Sequence, residues 1–306
     1  MSPSILALVL GILGVVPGFG SQSPTLILEP AVALVDEPIR IVASGLEPGV
    51  EATITAALVI GPEEVLRAEA TFLADTTGVV DLARDPSRSG TYTGVDPMGL
   101  FWSMVSTRPD SSAAVPPPCV PPWSCRMGFE LKVDGRVVAH AQVERRFLAE
   151  GARIVDVCEP GVVGRLFLPP GGDRPPVVIV LSGSEGGIPD LRAAILASHG
   201  FAAFALAYFD AEGLPDELFE IPVETVARGI AWLESRPDVD AERIAVLGQS
   251  KGSELSLLAA STYAEIDAVV AYAPSPYVWP GSRGMEVRGP YRRGRWAVPR
   301  SRSSLT

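Results

Sequence analysis

The stretch of this sequence best suited to covalent chemistry is Gly248-Gln249-Ser250-Lys251-Gly252. An apolar run, Ile244 to Leu247, leads into it, and Leu255, Leu257, Leu258 and Ala259 follow at spacings that suit the buried side of a helix. That order puts Ser250 on a sharp turn between a strand and a helix. Two glycines flank the turn, and without Cβ atoms they let strand and helix approach closely. A serine held this way projects its hydroxyl toward an acyl carbon. The backbone N–H of Lys251, at the start of the helix, is then free to donate to the oxyanion that forms. The Lys251 ammonium is either a phosphate-attracting group or a solvated helix-start lysine.

A second polar landmark is Ser182-Gly183-Ser184-Glu185-Gly186-Gly187, directly after the apolar run Val177 to Leu181. Glycines there let a backbone come close to a substrate, and the N–H of Ser184 or of Glu185 is the expected second oxyanion donor.

These two turns need a rigid frame, and the second half of the chain has the pattern for one. Arg153 to Val157 and Val162 to Leu168 read as a hairpin. After them come strand Val177 to Leu181, helix Asp190 to His199, strand Phe201 to Leu206 and helix Val223 to Ser235. Strand Arg243 to Leu247, helix Ser253 to Ser261 and strand Ala268 to Tyr272 complete the series. Apolar strands alternating with helices predict a parallel, doubly wound α/β sheet over residues 153–281. Residues 25–150 follow a different pattern. Pro38 to Ala43, Glu51 to Ile60, Glu64 to Leu73, Val79 to Ala83, Leu100 to Val105, Phe129 to Val133 and Val137 to Val143 are strand-length runs between turn signals, which predict an immunoglobulin-like β-sandwich. Arg108 to Trp123, with six prolines, reads as a long surface loop within that domain.

Composition narrows the partners. The formal net charge is −11, which argues against nucleic acid, because phosphate neutralisation needs a basic face. With two histidines and three cysteines, and no metal spacing among them, neither a metal nor any other cofactor is expected. Ile5 to Val16 is too short to span a membrane and suits the core of a signal peptide over residues 1–20, so secretion or periplasmic export is expected, with a cytoplasmic location as the alternative. In that setting Cys119 and Cys125 are close enough in sequence to bridge, leaving Cys158. Oligomeric state is not legible.

The ordered segments DEPIRIVASGLEPG, GTYTGVDPMGLFWSM, RLFLPPGG, GSEGG, HGFAAFALAYFDAEGLP and GQSKGSELSLLAAS resemble the acyl-CoA thioesterase and bile-acid-CoA:amino-acid N-acyltransferase family, from about Leu26 to Trp279. The resemblance implies an N-terminal β-sandwich and a C-terminal α/β-hydrolase domain. It also implies an acyl thioester of coenzyme A as substrate, a Ser-His-Asp triad, and an acyl-enzyme resolved by water or an amino acid, in fatty acid metabolism. The acyltransferase branch commonly carries cysteine as nucleophile, so Ser250 points to hydrolysis.

One departure stands out. The resemblance places the acid and the histidine after the nucleophile, yet His140 and His199 both precede Ser250, and neither Asp267 nor Glu286 is well placed as the acid. A carboxylesterase or dienelactone-hydrolase-like enzyme, and a catalytically degenerate binding module, are the rival expectations. From Arg283 onward the chain carries seven arginines and one acid without any strand or helix period, so residues 282–306 are expected to be a disordered tail and the hydrolase domain to be incomplete.

Overall fold

In a computed structural model, the described residues are 23–61, 64–107, 123–171 and 173–279. The expected signal peptide, the proline-rich loop, Cys119 and the arginine-rich tail fall outside them. Among the described residues the chain divides into two compact units, one of residues 23–31, 38–107 and 127–142, the other of residues 32–37, 123–126 and 143–279.

The elements in chain order are β1 (Thr25–Glu29), β2 (Val32–Leu34), β3 (Arg40–Ser44), β4 (Glu51–Gly61), β5 (Glu64–Leu73), β6 (Val80–Asp81), β7 (Ser89–Gly90), α1 (Gly99–Trp102), β8 (Val105–Ser106), β9 (Ser124–Val133), β10 (Arg136–Arg146), β11 (Arg153–Glu159), β12 (Val162–Leu168), β13 (Pro176–Leu181), α2 (Asp190–Ser198), β14 (Ala202–Ala207), α3 (Glu224–Glu234), β15 (Asp240–Gln249), α4 (Lys251–Thr262) and β16 (Ile266–Tyr272).

The first unit is built of antiparallel strands. A small sheet runs β1-β3-β6, and a larger one runs β10-β9-β4-β5-β7, with β8 also on β5. Alternation sets the register. Ala52, Ile54, Ala56 and Leu58 of β4 point inward, and across the ladder Ala52 meets Phe72, Ile54 meets Ala70 and Ala56 meets Phe129. Asp134 and Gly135, both at positive φ (49° and 73°), close the β9–β10 hairpin. One expected strand, Leu100 to Val105, is absent. In its place Asp96 accepts the Met98 N–H at 2.8 Å and the Trp102 indole N–H at 2.9 Å, which bends the chain into the single turn α1, with Leu100 buried beneath it and Phe101 against Phe129. Local side-chain hydrogen bonds won over strand propensity here.

The second unit carries a mixed six-stranded sheet, order β11-β12-β14-β13-β15-β16, in which β11, β12 and β14 pair antiparallel and β14, β13, β15 and β16 pair parallel. Every residue of β14 is buried, as is β13 after Pro176, because helices cover both faces. On one face α3 and α4 pack over Val177, Ile179, Leu181, Phe204, Leu206, Ile244 and Val246. On the other, Ala193, Ala194 and Ala197 of α2 sit over Val178, Val180, Ala203 and Ala205. Each fully buried branched or aromatic side chain contributes about 1.5–3 kcal/mol to holding this frame.

Candidate active site

The parallel register Leu181↔Gly248 brings the end of β13 beside the end of β15, so the two glycine-rich turns leave the same edge of the sheet. At that edge Ser250 has φ +50° and ψ −115°, backbone angles that a residue with a Cβ rarely adopts. The conformation is held from both sides. The Ser250 N–H donates to the Tyr272 carbonyl of β16 at 2.9 Å. Its own carbonyl accepts the Ser253 N–H at 3.0 Å, the Glu254 N–H at 3.3 Å and the Ser253 hydroxyl at 2.6 Å.

The flanking glycines are required by contact. A Cβ on Gly248 would collide with the Gly252 carbonyl and the Ser256 hydroxyl, and one on Gly252 would collide with the Ser182 carbonyl. The sharp turn at Ser250, here called the elbow, therefore presses directly on the loop after β13. Of the α4 residues expected to face inward, Leu255 and Ala259 are buried, but Leu257 is exposed. The inner face is completed instead by Ser253 and Ser256, whose hydroxyls donate to the Ser250 and Gly252 carbonyls.

The loop holding Ser184 and Glu185 is itself fixed. The Gly186 N–H donates to the Gly183 carbonyl and the Gly187 N–H to the Phe209 carbonyl, both beyond 3.0 Å, while the buried Tyr208 hydroxyl donates to the carbonyls of Ser182 (2.8 Å) and Gly183 (3.2 Å). Burial pushes the Tyr208 phenol well up, so it remains a donor. Among the described residues, the N–H groups of Ser184 and Glu185 have no acceptor. The N–H of Lys251 opens α4, where no intrahelical acceptor exists.

Sequence reasoning missed two residues here. Tyr208 carried no signal beyond its place after an apolar strand. Glu254 lies one turn into α4 and is buried, with its Oε2 2.9 Å from the Lys251 ammonium. Lys251 thus points into a buried pair, not into solvent.

Within the second unit the one histidine, His199, does not join the site, and His140 belongs to the first unit. His140 stands on an exposed position of β10. His199 caps the end of α2 remote from the Ser182–Gly187 loop, and its Nε2 lies 2.6 Å from Asp36 Oδ2. Asp267 accepts the Ile244 N–H at 2.9 Å at the opposite end of β15 from Ser250, and Glu286 lies outside the described residues. Among the described residues no group of His, Cys, Asp and Glu could hold a metal, and no helix is long and apolar enough to cross a membrane.

Two family models match the chain: the acyl-CoA thioester hydrolase/BAAT N-terminal region over residues 36–159, and the BAAT/acyl-CoA thioester hydrolase C terminal over residues 221–285. Mouse acyl-coenzyme A thioesterase 3 is 39% identical over 253 residues, covering 81% of this chain and 58% of that protein. Rat acyl-coenzyme A thioesterase 1 is 40% identical over 250 residues (80% and 59%), and mouse peroxisomal succinyl-coenzyme A thioesterase is 36% identical over 245 residues (79% and 58%). The chain therefore spans less than two thirds of the length of these relatives. Among solved structures, the α/β hydrolase GrgF from Penicillium is 19% identical, covering 39% of this chain and 45% of that one at a TM-score of 0.34.

Proposed function

This chain belongs to the acyl-CoA thioester hydrolase and BAAT family, and from that premise we propose that it carries the nucleophile and oxyanion donors of a serine-dependent acyl-CoA thioester hydrolase, on an α/β-hydrolase domain that follows an immunoglobulin-like β-sandwich. The supporting observation is the backbone of Ser250, strained at the β15–α4 junction with both flanking glycines in contact.

In this reading Ser250 Oγ attacks the thioester carbonyl carbon and passes its proton to an imidazole, the base that the rescue experiment below supplies from solution. The oxyanion is stabilised by the N–H of Lys251 and that of Ser184 or Glu185. The C–S bond then breaks, coenzyme A leaves as its thiolate, and water resolves the acyl-serine to a carboxylate, regenerating the hydroxyl. His199, at the far end of α2 and bound to Asp36, is not that base.

The position of His199, paired with Asp36 at the far end of α2, favours a second reading, in which the chain binds acyl thioesters without turning them over. Chemical rescue separates the two. Under the hydrolase reading, added imidazole accelerates coenzyme A release from a long-chain acyl-CoA by the wild-type chain and not by Ser250→Ala. Tight binding with no rescue supports the second reading.

A further inference from the structure

The post-β16 segment is gripped by the elbow helix at a single residue. The Lys251 ammonium donates to the Trp279 carbonyl at 2.6 Å, and Glu254 Oε2 accepts the Trp279 N–H at 3.1 Å while pairing with Lys251 at 2.9 Å. Both ends of one peptide residue are thus held by one ion pair whose side chains are 14% and 4% exposed. Burying two charges is unfavourable unless pairing offsets it, so such a pair adds little to stability alone and is better matched to fixing a register. What it fixes is unusual. Trp279 is 56% exposed and Tyr277 72%, despite the anchored backbone. The turn carrying them is also ordered, since Ser275 Oγ accepts both the Trp279 indole N–H (2.5 Å) and the Tyr277 N–H (3.1 Å). Two large aromatic side chains are therefore held facing outward, anchored to residues within one helical turn of Ser250.

We propose that Lys251 and Glu254 are a positioning clamp that holds the post-β16 segment beside Ser250, so that Trp279 and Tyr277 form an apolar platform for the acyl chain of the substrate. The inference rests on the thioester reading for the identity of that chain. Aromatic faces supply large, rigid apolar area at little entropic cost, which suits a flexible alkyl chain and gives no role to the coenzyme phosphates. Two of the three Lys251 ammonium donors are already engaged, by Glu254 and by the Trp279 carbonyl.

The test uses the full chain, its Trp279→Ala variant and the double variant Lys251→Met/Glu254→Gln, which removes both charges together and leaves no unpaired buried ion. Three probes are titrated: a long-chain S-alkyl thioether of coenzyme A, the same alkyl thioether of N-acetylcysteamine, and coenzyme A alone. Amide exchange at Trp279 is followed in parallel. Trp279→Ala is expected to weaken both alkyl thioethers about tenfold and leave coenzyme A unchanged. The double variant is expected to speed exchange at Trp279 and weaken the alkyl thioethers, with no further loss when combined with Trp279→Ala. Binding of the alkyl-N-acetylcysteamine probe through Trp279 without any preference for the coenzyme A form upholds the platform and removes the coenzyme reading. The proposal is overturned if Trp279→Ala leaves both alkyl probes unaffected, if Trp279 exchanges equally in wild type and double variant, or if the double variant weakens coenzyme A alone and flattens its salt dependence.

Discussion

The Tyr208 hydroxyl donates to the Ser182 carbonyl at 2.8 Å, tying the end of β14 to the loop that carries Ser184 and Glu185. That bond, with its weaker companion to Gly183, is what orients a loop made mostly of glycine and serine. Tyr208→Phe keeps the ring in its core site and strips the donor from two carbonyls. It should lower the unfolding free energy by about 1–3 kcal/mol in urea titrations and reduce Ser250 acylation. An unchanged midpoint and unchanged acylation would show that the loop is held by other means.

Strain at Ser250 gives a test with the opposite sign. Glycine adopts φ +50° without a Cβ penalty, so Ser250→Gly should raise stability by about 1–3 kcal/mol while abolishing chemistry, whereas Ser250→Ala, which keeps the Cβ, should not. Equal stabilities for the two variants would mean that the elbow stores no strain.

The contact glycines can be compared with a free one. Gly248→Ala and Gly252→Ala force backbone atoms apart and should each cost about 1–3 kcal/mol or more, with loss of acylation. Gly128→Ala, where a Cβ would meet nothing within 4 Å, should stay within about 0.5 kcal/mol. Thermal melts of the three variants suffice.

Asp190 supplies a pH dependence. Burial raises its pKa from 3.8 to about 6, with Arg165 opposing and Asp156 reinforcing the shift. Between about pH 4 and 6 the folded chain therefore keeps a proton that the unfolded chain has lost, so rising pH works against folding across that window. The stability of wild type minus that of Asp190→Asn should fall from pH 4 to pH 6 and level off above. A difference that is flat or rises through the window would contradict the assignment.

Much of the second unit was legible because its signals are local and redundant. The buried runs of β13 and β14 are continuous, and the β15–α4 turn carries two glycines at fixed offsets. Boundaries shifted where side chains add to the backbone pattern. Helix α4 begins at Lys251, two residues before its apolar pattern suggests, and its inner face is completed by serines that satisfy their own hydroxyls. The Leu100 strand failed because Asp96 acts over a distance of six residues that no alternation pattern registers. Tyr208 and Glu254 were invisible for a related reason. Tyr208 acts on a carbonyl 26 residues away on the loop after β13, and Glu254 on a backbone N–H 25 residues on in the segment after β16; only the i,i+3 spacing of Lys251 and Glu254 was a local signal.

The central claim is that Ser250 is the acylated nucleophile. The direct measurement is intact-protein mass spectrometry after incubation with a long-chain acyl-CoA and imidazole, with peptide mapping of any adduct. An acyl group on the peptide containing Ser250, formed in step with coenzyme A release and absent in Ser250→Ala, is the expected result. Coenzyme A release that is undiminished in Ser250→Ala, or an adduct mapped to any other residue, would contradict it.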